Sequence, residues 1–315
     1  MALKKLKEIF NKRSVRAGVL GVALLGAGAG GYLYMNGNDG ASEGAAAAVI
    51  TPYTVAAGKQ ESVLQEWNDN WRSICYVAGQ PAEVPVSPRA EQMRKLLQRM
   101  TEEELVGGQA VRTLEQLGTA MCLNDHKQAR SAAYGDATNV LTVKSGLEPR
   151  GKLFHALNEA RHAVQQTQGM LGSVNTTLEE NVRITFALEA DAMATTVLAA
   201  WRLRERGDRE LWQFLQGGHD SDLTTVFAAH MVGERDEMAA TRAVFNAWYS
   251  KETRIHAAFQ DALTRERNQE VWPVERPYFE KLPSNFFDRL GELGDGRNYG
   301  ANKSPMLKQR YRVEG

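Results

Sequence analysis

Glu159 and His162 stand three residues apart in the stretch ALNEARHAVQQ, Ala156 to Gln166. A carboxylate and an imidazole at that spacing share one helical face. In the pattern H-E-x-x-H, two histidines four apart bind one zinc ion, and the Glu between them takes a proton from bound water. Here Asn158 occupies the place of the first histidine, with Glu159 and His162 in register behind it. The spacing points to metal-assisted hydrolysis with one ligand changed. An Asn amide oxygen is a harder and weaker ligand than imidazole, so zinc is weakly held, or absent if Asn158 does not ligate. A third ligand has to come from another element, and Glu189 in ALEADAMA supplies a carboxylate on the next long helical stretch.

No other residue replaces the missing histidine well. His155 lies seven residues before His162, about 10.5 Å along a helix axis, whereas donors on one zinc lie within about 4 Å of each other. Asp191 stays open as a substitute, although two residues beyond Glu189 on a helix it faces about 200° away. A carboxylate-bridged pair of metals needs a second E-x-x-H, and Ala192 stands where its histidine would be. Cys75 and Cys122 lack C-x-x-C spacing, which argues against a thiolate site. They form either a disulfide or two buried thiols, and both readings stay open. His126, His219, His230 and His256 read as surface or packing residues, and Trp201, Trp212, Phe186, Phe214 and Phe227 as core. Arg161 and Asp191 suggest a structural pair that would fix the register of two packed helices.

These residues need helices to carry them. Apolar residues at Val63, Leu64, Trp67, Trp71 and Ile74 predict a helix beginning near Lys59. Three prolines between Gly79 and Pro88 end it. Further helices are expected over Ala90–Met100, Glu103–Met121 and Lys152–Gly169, and over a long stretch capped by Thr176 or Thr177 and closed by Gly207. Others are expected over Asp208–Gln216, Leu223–Val232 and Glu234–Asn268. Between Ala132 and Gly146 the period changes, and Val140, Leu141 and Val143 after a Gly135-Asp136 turn predict a strand or hairpin. From Val271 the chain carries Pro, Gly and aromatics without period, which reads as an irregular tail (271–315) wrapping the surface.

GKLFHALNEARHAVQQ followed by RITFALEADAMAT, with a cysteine and YGDATNVLTV before them, resembles a bacterial family of metallopeptidase-like domains of unassigned function. Its members show H-E-x-R-H followed by an E-A-D-A segment. The resemblance covers roughly Cys122 to Arg204. It implies a zincin-like, gluzincin-type fold that is mainly α with a small β element. It implies Glu159 as general base, His162 as zinc ligand and Glu189 as third ligand. Asn158 departs from the pattern and points to a degenerate or altered metal site, or a pseudoenzyme.

The chain has 315 residues and a formal net charge of zero, so nothing directs it to nucleic acid. The balance hides an asymmetry. Residues 1–16 carry six Lys and Arg against Glu8 and run into an uncharged stretch, Ala17 to Met35. That length just crosses the roughly 30 Å hydrocarbon layer, and the positive-inside rule puts the N-terminus in the cytoplasm. A cleaved signal peptide is the competing reading. Residues 36–58 read as a flexible linker and 59–270 as the helical domain. The expectation is a single-pass bacterial inner-membrane protein, anchored through 17–35, with its main domain periplasmic and a peptide or protein as partner. The alternative is a non-enzymatic, membrane-tethered helical scaffold of the cell envelope.

Overall fold

A computed structural model describes residues 74–127, 129–136, 138–170, 177–270, 282 and 284–308, with side chains from 265 to 270 excepted. The basic N-terminus, the 17–35 anchor, the 36–58 linker and the start of the expected first helix, 59–73, lie outside the described residues.

Eight helices and one small mixed sheet make up the described fold. α1 spans Pro88–Thr101, with Pro88 at its first position and the Ser87 hydroxyl accepting from Ala90 N at 3.2 Å. α2 covers Gly107–Leu117, shorter than the expected Glu103–Met121. The buried Glu103 carboxylate caps the start of α2, accepting from Val106 N at 2.6 Å and Gly107 N at 2.9 Å. A Cβ at Gly107 would lie 2.1 Å from the Met100 carbonyl oxygen, so only glycine lets α2 start this close to α1. Gly118 in the left-handed conformation then ends the helix, and Met121 belongs to a strand.

The sheet runs β1-β2-β4-β3, from Tyr76–Val77, Ala120–Asn124, Val140–Lys144 and Ala132–Gly135. β3 and β4 form the expected antiparallel hairpin, with Tyr134 opposite Leu141. β2 pairs with β4 in parallel and with β1 antiparallel. Alternation buries Ala132, Tyr134, Leu141 and Val143 on one face. Cys75 and Cys122 flank the Tyr76–Met121 pair and are joined by a disulfide with their Cα atoms 4.5 Å apart.

α3, Pro149–Thr167, carries the Asn158 motif and packs on β3, β4, α1 and α2. α4, Leu178–Glu205, is the central helix, with the Thr177 hydroxyl accepting from Glu180 N at its start. It packs against α3 and against α5 (Glu210–Gly217), α6 (Ser221–Gly233), α7 (Glu237–Trp248) and α8 (Glu252–Glu270). Alanines and threonines along Ala190–Ala200 let so many neighbours approach. α4 is the one helix among the described residues long and apolar enough to cross a membrane, and that stretch is wholly buried. It is a core helix.

The expected single helix over Glu234–Asn268 is two, α7 and α8. Asp236 caps α7 by accepting from Met238 N and Ala239 N. The Ser250 hydroxyl donates to Ala247 O at 2.6 Å, a local bond that competes with helix continuation. Residues 284–308 of the tail are turns and short 3-10 segments, Ala301–Lys303 and Pro305–Lys308. They do more than wrap the surface, because Leu290, Leu293, Tyr299, Ala301 and Leu307 are buried in the core.

Candidate site around Glu159 and His162

Asn158, Glu159 and His162 lie on α3, and Glu189 on α4 approaches His162 and acts on the Glu159 charge. All four are buried, Asn158 and Glu189 at 6% exposure and Glu159 at 0%. His162 Nε2 lies 3.7 Å from Glu189 Oε1. The Glu159 carboxylate points to the sheet, where its Oε2 accepts from Tyr134 N at 2.9 Å. Its Oε1 has no hydrogen-bond partner among the described residues. Burial pushes the Glu159 carboxyl well above the usual carboxylate range, and the charge of Glu189 pushes it further, against the Tyr134 N–H and Arg130. Both effects disfavour the charged form of the carboxyl, and the Tyr134 N–H favours it.

Asp191 does not join this group. Its Oδ2 accepts from Arg161 Nε at 2.7 Å and its Oδ1 from Arg161 Nη2 at 3.2 Å. Tyr299 in the tail donates its hydroxyl to Asp191 Oδ1 at 2.7 Å, and Gln165 Nε2 donates to Oδ2 at 2.8 Å. Arg161 also donates to Gln109 Oε1 at 3.1 Å and to Glu292 O at 3.0 Å. Burial pulls the Arg161 guanidinium down, but Asp191 outweighs it and holds it above its ordinary value. Burial raises the Tyr299 hydroxyl well above its ordinary value, as do the charge and hydrogen bond of Asp191, which keeps it a donor. Asp191 is therefore a structural carboxylate, engaged by Arg161, Tyr299 and Gln165.

His155 sits a turn before Asn158, edge-on to Phe154 with ring centroids 4.8 Å apart. Burial lowers its pKa to about 4, with Asp220 opposing. Trp201, Trp212 and Phe227 form one aromatic cluster and Phe186 stacks near Trp248; Phe214 packs on Phe154. Sequence reasoning missed three participants: Tyr134 with its backbone N–H, Gln165, and Tyr299. Gln165 had a visible signal, one turn after His162 on the same face. Tyr299 had none, since no periodicity marks its segment.

Would a zinc ion suit these residues? His162 Nε2 and Glu189 Oε1 are near enough to bind one ion together, since donors about 2 Å from a zinc lie within about 4 Å of each other. Two donors fall short of the three protein ligands of a catalytic zinc. Among the described residues, no three His, Cys, Asp or Glu side chains are grouped to hold a metal. The His, Cys, Asp and Glu side chains so placed do not fit a tightly held zinc.

Residues 58–301 match the model of the Putative metallopeptidase family (DUF6782). No curated protein and no solved structure matches the chain.

Proposed function

The chain belongs to this metallopeptidase family, and on that premise we propose that it is a membrane-anchored, peptidase-derived domain with an altered metal site. It acts by engaging a peptide or protein partner, and not as an efficient zinc hydrolase. The observation that carries this reading is the pairing of His162 Nε2 with Glu189 Oε1 at 3.7 Å across α3 and α4, with an amide at 158 where the third donor belongs. The motif helix, the following helix with its Glu, and the adjoining small mixed sheet support a zincin-like arrangement. The family suggests zinc as the metal that such a site descends from. The buried disulfide supports a location outside the cytoplasm, where such bonds persist.

The test is metal content by mass spectrometry of the detergent-purified full chain beside Asn158→His. The native chain is expected to hold well under one zinc per molecule, and Asn158→His to approach one, because the substitution completes two imidazoles and a carboxylate. Near one zinc in the native chain, lost in both His162→Ala and Glu189→Ala, would overturn the altered-site reading and make the protein a candidate hydrolase. Absence of zinc from Asn158→His would favour the envelope scaffold.

A further inference from the structure

Gln165 is wholly buried, and each polar atom of its amide is used. Its Nε2 donates to two acceptors on α4, Leu188 O at 3.0 Å and Asp191 Oδ2 at 2.8 Å. Both of those act as acceptors, one a carbonyl and the other a carboxylate oxygen that already accepts from Arg161, with its neighbour Oδ1 accepting from Tyr299. An amide flip would set the Gln165 oxygen against two acceptors, so its orientation is determined. That leaves Oε1, an acceptor, 2.7 Å from His162 Nδ1. An acceptor at that distance requires a proton on Nδ1.

We infer that Gln165 is a positioning residue that holds the His162 ring as its Nδ1–H tautomer and aims the Nε2 lone pair at Glu189. The protonation of one ring nitrogen is set by the hydrogen bond the other face makes, as it is for ligating histidines. In the neutral ring, Nε2 is then an acceptor facing a carboxylate. The chain that fixes this orientation runs from the tail through α4 to α3: Tyr299 and Arg161 hold Asp191, Asp191 holds Gln165, and Gln165 holds His162. It is intact although the ligand position at 158 has changed. The inference rests on the reading of His162 as a site residue, but it requires no bound metal.

The test is nuclear magnetic resonance of the full chain in detergent micelles with ¹⁵N-labelled histidine and a metal chelator present, at a pH where the ring is neutral. The His162 signals are assigned by their loss in His162→Ala. In the native chain, long-range proton correlations should show a protonated Nδ1 and an unprotonated Nε2. Gln165→Leu removes the acceptor and should move the ring toward the Nε2–H form that free histidine favours. Tyr299→Phe removes one donor of the same network but leaves Gln165 in place, so it should keep the native tautomer. A native ring protonated on Nε2 would overturn the inference even if Gln165→Leu does not fold, and so would a tautomer unchanged in a folded Gln165→Leu. Chelation makes the result independent of zinc content, so the altered-site reading and this inference can fail separately.

Discussion

Arg161 shows how far one side chain can organise this site. It is 1% exposed, its partner Asp191 is 0% exposed, and two nitrogens of its guanidinium meet the two carboxylate oxygens. Removing one member of such a pair leaves the other charged and buried, which costs about 3 to 5 kcal/mol. Arg161→Leu should therefore lose about that much in urea unfolding, and a loss below about 1 kcal/mol would show that the pair is replaceable. The Arg161–Asp191 pairing was legible in the sequence because both residues sit near the motif on helices expected to be neighbours. The approach of Glu189 to His162 was legible for the same reason. Sequence reasoning searched for His, Glu and Asp as donors and so passed over Gln165, whose role comes from what Asp191 and Leu188 O already occupy. Tyr299 was invisible for a different reason: it reaches Asp191 across more than a hundred residues of chain from an aperiodic segment.

Among the elements, strong periodicity made the helices legible, while elements that depend on distant partners were not. The β3–β4 hairpin announces itself by alternation and a turn. β2 does not, because AMCLN continues the apolar run of α2 and its parallel partner β4 lies beyond an intervening strand. β1 has only two residues, too few to signal anything. A two-residue edge strand has little pairing of its own, and the Cys75–Cys122 bond sits directly beside its ladder. The bond closes a loop with a sequence separation of 47, for which loss of unfolded-chain entropy predicts about 4 kcal/mol. The double variant Cys75→Ala, Cys122→Ala should lose about 3 to 4 kcal/mol in denaturant unfolding relative to the oxidised protein. Amide exchange at Tyr76 and Met121 should accelerate more than at Leu141. Unchanged exchange at Tyr76 would show that the pairing holds without the bond.

At the scale of the whole molecule, two apolar segments have the length to be weighed as membrane spans, α4 and Ala17–Met35. α4 passes the length and composition test for a membrane span, yet its window is wholly buried inside the fold, packed by α3, α5, α6, α7 and α8, with no face left for lipid. Hydropathy alone does not separate it from Ala17–Met35; what separates them is the charge beside them. Lys4, Lys5, Lys7, Lys12, Arg13 and Arg16 precede the second segment, and the next positive residue after it is Lys59. Each such cation opposes translocation of the end that carries it, so the anchor should leave Ser14 in the cytoplasm and Ser42 across the membrane. Single cysteines at these two positions report this directly, because Cys75 and Cys122 are buried and bonded to each other and stay silent to a thiol reagent. In spheroplasts, a membrane-impermeant maleimide should label Ser42→Cys and leave Ser14→Cys unlabelled until the membrane is broken. Labelling of Ser14→Cys in sealed cells, or protection of Ser42→Cys, would reverse the orientation and place the disulfide-bearing domain in a compartment that reduces such bonds. A shortened chain lacking the Ser14 position altogether would identify the apolar segment as a removed signal, and the domain would then act free of the membrane.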